Sequence, residues 1–99
     1  MKRSKITPAK LGFDPHLMLY AATKTFLQEF VKNQGLEEDI GVKVMSQESM
    51  LTVTVLAKQT YTAIAFKTHQ LDLIEQLTSL YLSRGIIENQ TINLKIKTR

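Results

Sequence analysis

The run Leu51-Thr52-Val53-Thr54-Val55 alternates apolar and hydroxyl side chains without interruption. In an extended chain successive side chains point to opposite faces, so this run specifies a strand with Leu51, Val53 and Val55 on one side and Thr52 and Thr54 on the other. One buried face and one wet face is the pattern of an antiparallel sheet that carries helices on one side only. The rest of the chain has to supply partner strands and those helices.

From about residue 59 to 84 the apolar period becomes helical, with Tyr61, Ile64, Leu71, Ile74, Leu77 and Tyr81 as the main stripe and Leu73 and Leu80 widening it. A straight helix of that length would run about 40 Å at 1.5 Å per residue. The weak helix formers Thr68 and His69, where the stripe is thinnest, predict a bend over residues 67–70, and Gly85 supplies the stop. Upstream, Asp14-Pro15 is a start signal: Asp accepts hydrogen bonds from free first-turn amides, and Pro gives up an N–H that has no partner there. A first helix over 15–34 follows, with Leu17, Tyr20, Ala21, Leu27, Phe30 and Val31 apolar, Thr23 and Lys24 as a polar interruption, and Gly35 as a left-handed end. Residues 36–39 form an acidic connector. Residues 40–45 make a strand with Val42 and Val44 on one face, and Ser46-Gln47-Glu48-Ser49, lacking Asn-Gly, predicts a four-residue hairpin loop. After Ile86 and Ile87, which are expected to plug the core edge, residues 91–97 form a third strand with Ile92, Leu94 and Ile96 inward.

The expected fold is therefore α+β: a two-layer α-β-β-α-β sandwich in which a three-stranded sheet carries two helices on one face. Residues 1–12 read as a flexible basic arm and residues 13–99 as one domain, since a chain of 99 residues buries about two thirds of its unfolded surface, enough for a single core.

Charge is distributed unevenly. Lys2, Arg3, Lys5 and Lys10 precede the first acid, Asp14, and the remaining nine bases balance nine acids. At the other end Lys95, Lys97 and Arg99 follow the last acid, Glu88. Both ends suit a polyanion, or serve solubility alone. The wet sheet face would display Lys43, Thr52, Thr54, Asn93, Lys95 and Lys97 with no aromatic ring, which disfavours base stacking of the RNA-recognition-motif kind. Candidate phosphate contacts are Lys2, Arg3, Lys5, Lys10, Lys43, Lys95, Lys97 and Arg99, and candidate partner anchors are Phe66 and Tyr81.

Catalytic chemistry finds little footing. The absence of cysteine excludes thiol nucleophiles and cysteine-held metals, and points to the cytoplasm. His16 and His69 lack partners at ligand spacing, Asp72 and Glu75 suit a solvated helix face, Glu37-Glu38-Asp39 lacks the glycine of a calcium loop, and no phosphate-binding glycine loop occurs. No run approaches the roughly 20 apolar residues of a membrane span. The expectation is a non-enzymatic binding module without cofactor, monomeric or dimeric through the 91–97 strand edge.

The α-β-β-α-β order resembles KH-like domains, although their G-x-x-G clamp is absent because Gly35 and Gly41 belong to different boundaries. Across residues 42–77, a strand, a polar turn, the Leu51–Val55 run and a helix starting about five residues later resemble the DciA family of bacterial replicative-helicase loaders, with Thr60 or Tyr61 at that family's tryptophan position and Ile64 at its leucine. The resemblance implies a KH-like domain that contacts the replicative helicase and DNA and helps place the helicase on single strands; by charge alone the expected partner is single- or double-stranded DNA, or RNA. The same Leu-x-Val-x-Val strand before a long helix is also similar to the C-terminal domain of flagellar and type III secretion hook-length control proteins, which implies a protein–protein adaptor with no nucleic-acid role.

Overall fold

A computed structural model describes residues 15–85 and 90–99, with side chains from residue 17 onward. The arm at 1–12, the Asp14 cap, the His16 side chain, the plug at Ile86 and Ile87, and the candidate contacts Lys2, Arg3, Lys5 and Lys10 lie outside the described residues.

Helix α1 spans Pro15–Asn33, strands β1 and β2 span Gly41–Gln47 and Met50–Ala57, helices α2 and α3 span Thr60–Thr68 and Gln70–Ser83, and β3 spans Thr91–Thr98. The sheet order is β1-β2-β3 with β2 central. It is the expected two-layer α+β sandwich, with the second helical segment divided in two. The break falls at His69, inside the stretch where a bend was expected, and its backbone joins both pieces: His69 N–H donates to the Ala65 carbonyl, while its own carbonyl accepts from Leu73 N–H.

Three expectations need correction. The sheet is mixed, not antiparallel: β1 and β2 are antiparallel, but β3 runs parallel to β2. Strand alternation reports which face is wet and carries no information on direction, and the 33 residues between β2 and β3 are ample for the long crossover that parallel pairing requires. The hairpin loop is Glu48-Ser49 alone, because Gln47 pairs with Met50 and the ladder continues two residues further than the polar composition suggested.

The third correction concerns which helical residues face the core. Tyr61, Ile64 and Leu71 are 58%, 55% and 83% exposed, whereas Thr62, Ala63 and Phe66 of α2 and Leu73, Leu77 and Tyr81 of α3 are buried. At about 100° per residue the buried residues of both pieces share one arc, and Tyr61, Ile64 and Leu71 fall on the opposite side of it; their apolar type, not their phase, suggested burial. On α1 the buried row is Leu19, Thr23, Leu27 and Val31, so Thr23 belongs to the core while Leu17 and Tyr20 are exposed. The Thr23 hydroxyl donates to the Leu19 carbonyl at 2.7 Å and pairs with the Tyr81 hydroxyl, which satisfies two buried polar groups at once. Burial raises the Tyr81 pKa above its ordinary value, and the Thr23 bond opposes that shift. Phe66 and Tyr81, expected as partner anchors, are both 0% exposed and hold the core together instead.

Register sets the inner face. The rows Val42–Val55–Ile96, Val44–Val53–Leu94 and Ser46–Leu51–Ile92 meet the helices, with Leu51, Val53 and Val55 fully buried. Phe30 of α1 packs on Phe66 with ring centroids 5.0 Å apart and meets His69 edge-on at 5.5 Å, closing the helical layer over the sheet. Gly35 ends α1 at φ 77°, with Leu36 N–H donating to the Val31 carbonyl and Gly35 N–H to Lys32; Gly85, at φ 66°, stops α3.

The acidic connector has a structural task. The Glu38 carboxylate accepts from the N–H groups of Lys58 and Gln59, just before α2, and from the Thr62 hydroxyl in its first turn, so it ties the connector to the start of a helix whose N-cap residue Gln59 makes no side-chain cap bond. Partial desolvation alone would raise the carboxyl's pKa; the bonds from Thr62, Lys58 and Gln59 and the Lys58 charge outweigh it and hold the pKa below its usual value. Gln28 Nε2 donates to the Glu38 carbonyl at 2.6 Å, fixing the connector against α1.

Candidate nucleic-acid interface

The strands that bury Val53 and Leu94 on one side necessarily present the alternate residues on the other. On that outer face the register gives the rows Gly41–Leu56–Lys97, Lys43–Thr54–Lys95, Met45–Thr52–Asn93 and Gln47–Met50–Thr91. Lys43 and Lys95 stand on one row with Thr54 between them, about 10 Å apart at two strand spacings. Lys97 follows Lys95 on the same face about 7 Å along β3. All three lysines are exposed.

Electrostatically this face is one-signed, since none of the three strands contains an acidic residue. Among the described residues the ion pair found is Lys24–Asp39 at 3.4 Å, which ties α1 to the connector on the helical side and leaves the strand lysines unpaired. Arg99 extends the positive edge: its N–H donates to the Ala57 carbonyl at 2.7 Å, which continues the β2–β3 ladder and brings Arg99 beside Lys58. Lys58 is a cation that sequence reading passed over. Its position one residue beyond β2 was the available signal, although part of its charge acts on Glu38.

The surface holds no aromatic ring, because none of the three strands contains Phe, Tyr or Trp. Gly41 lets Leu56 lie across the neighbouring strand, since a Cβ there would sit 3.3 Å from Leu56 Cβ. Met45 and Met50 are exposed near the hairpin end. Such a face can attract and position a phosphate backbone but offers no platform for stacking bases.

The free edge of β3 is partly closed. Thr91 and Arg99 direct their N–H groups to β2, so the even-numbered residues between them point theirs outward. One of those outward carbonyls, on Leu94, accepts from Gln70 Nε2 of α3 at 2.6 Å.

Elsewhere, no group of three His, Cys, Asp or Glu side chains is placed to hold a metal among the described residues. Asp72 is engaged locally, accepting from Gln76 Nε2 at 2.8 Å. No helix among the described residues is long and apolar enough to cross a membrane. No protein-family model, curated protein or solved structure matches this chain.

Proposed function

We propose that the protein is a non-enzymatic adaptor that binds nucleic acid through the outer face of its sheet. The observation that carries this reading is the Lys43–Thr54–Lys95 row, extended by Lys97, on strands that contain no acid. Lysines in such an array neutralise phosphates and release counterions, which gives affinity with little sequence preference. Arg99 adds a fourth cation just beyond β3, and Lys2, Arg3, Lys5 and Lys10 add contacts from the N-terminal segment. The resemblance to the replicative-helicase loaders narrows this to DNA as the polyanion and a helicase as the protein partner.

Fluorescence anisotropy of labelled single- and double-stranded oligonucleotides at two salt concentrations tests the reading. On single strands each phosphate contact contributes about 0.7 to the slope of log affinity against log salt, so Lys→Ala at positions 43, 95 and 97 together should lower the slope by about 2, and deleting residues 1–10 by about 3. An unchanged slope in the triple variant removes the sheet face from the account. Absence of binding even at low salt would leave the protein–protein adaptor as the better description.

A further inference from the structure

A groove on the helical side differs in chemistry from the sheet face. On α1 the half-buried row Met18, Ala22, Phe26 and Phe30 lies beside the buried row Leu19–Val31, at the i, i+4 spacing that forms a continuous ridge. On α3 the facing row passes through Leu73, Gln76 and Leu80. The two helices run antiparallel: Thr23 meets Tyr81, and Phe30 meets His69. Above the buried hydroxyl pair they leave a groove of three adjoining depressions that all share Phe26 as a wall. From Met18 to Phe30 it is about 18 Å long at 1.5 Å per residue, the length of three helical turns.

Its floor is apolar and aromatic, with Phe26, Phe30 and Leu80 only partly buried against the core. Its rim is acidic, with Glu29 on α1 and Asp72 and Glu75 on α3. Among the described residues Arg84, at the Met18 end, is the one Lys or Arg lining it, and His69 lines the Phe30 end. An apolar trough of this length between two helices accepts a third helix by side-chain rows, and the rim charge selects the sign of what enters.

We infer that the groove between α1 and α3 docks a basic amphipathic helix of a protein partner, its apolar side on Phe26 and Leu80 and its lysines or arginines against Glu29, Asp72 and Glu75. The occupant is argued from charge complementarity, and the site is independent of the sheet face.

The probe is a synthetic 14-residue peptide with leucine at i, i+3, i+4, i+7 and i+11 and lysine elsewhere, titrated into the full ¹⁵N-labelled chain. Amide shifts should concentrate at residues 18–30 and 72–84. Glu29→Lys with Glu75→Lys, both at exposed positions, should weaken the peptide at least tenfold while leaving unfolding unchanged, and a matched peptide carrying glutamate in place of lysine should bind this variant better than the native chain. Phe26→Ser weakens both peptides, and its folding is checked by the same spectra. Shifts on the sheet face, equal affinity for the native and charge-reversed chains, or no binding would overturn the proposal. So would binding that appears only after residues 1–14 are deleted, because the chain's own N-terminal segment would then be the occupant.

Discussion

The outer face of the sheet and the groove between α1 and α3 lie on opposite sides of one core and are opposite in chemistry. The sheet face carries Lys43, Lys95 and Lys97 on acid-free strands and no ring; the groove carries Phe26 and Phe30 beneath Glu29, Asp72 and Glu75. Secondary structure explains part of the contrast. A pleated strand sends alternate residues fully to each side, so a sheet sorts polar from apolar side chains cleanly. A helix turns about 100° per residue and leaves half-buried rows beside its buried one, and those flanking rows give α1 and α3 their apolar margin. A two-layer domain therefore exposes two unlike surfaces without any insertion, one suited to a polyanion and the other to an apolar, basic partner.

The largest expected effect breaks both surfaces at once. Phe66→Ala should cost about 3–5 kcal/mol in urea unfolding, because the ring is fully buried against Phe30 between the helical layer and the sheet. A variant of normal stability that had lost only partner binding would return Phe66 to the role of surface anchor and erase the distinction drawn here between core and groove.

Charge changes confined to one side should separate the two surfaces. Lys43→Glu with Lys95→Glu should weaken oligonucleotide binding more than tenfold at low salt and leave peptide binding in the groove unchanged; anisotropy with each probe reads both. Coupled losses would mean that the two surfaces are not independent.

The connector supplies a smaller, pH-dependent effect. Glu38→Gln should cost about 1–2 kcal/mol, discounted from the roughly 1.5–3 of hydrogen bonds to a charged group because the carboxylate is partly solvated. Because the folded state holds the Glu38 carboxyl below its unfolded pKa, its contribution is complete above the unfolded value and is lost as pH falls through the folded one. Chemical unfolding across the acid range should therefore show a gap between native and variant chains that closes toward low pH. A gap independent of pH would assign the effect to packing. Smallest is Tyr81→Phe, expected to cost about 1 kcal/mol, since the Thr23 hydroxyl keeps its bond to the Leu19 carbonyl.

Much of the sheet was legible in the sequence because strand alternation reports burial directly: the inward Leu51, Val53 and Val55, the inward Ile92 and Leu94, and the outward lysines all follow from it. Gly35 and Gly85 were legible as helix stops for an equally local reason, their left-handed backbone. What escaped depends on tertiary placement. The direction of β3 is fixed by a crossover, and parallel and antiparallel strands share one alternation pattern. Thr23 looks polar in isolation and enters the core only because Tyr81, 58 residues away, supplies a partner for its hydroxyl. Tyr61, Ile64 and Leu71 were placed inside by their apolar type, although at about 100° per residue they fall opposite the arc of Phe66, Leu73, Leu77 and Tyr81. The tie between the connector and the start of α2 was hidden because Glu38 reaches Lys58 from 20 residues upstream. As for the candidate interface, the residue types and their common face were readable, whereas the pairing of Lys43 with Lys95 across Thr54 required the register.

The most direct test of the sheet-face account is amide shift mapping of the ¹⁵N-labelled chain titrated with a short single-stranded oligonucleotide at low salt. The account predicts perturbations concentrated at Lys43, Thr54, Lys95, Lys97 and Arg99 that fade as salt is raised, with the α1–α3 groove silent. Perturbations centred on the helices, or none at low salt, would contradict it.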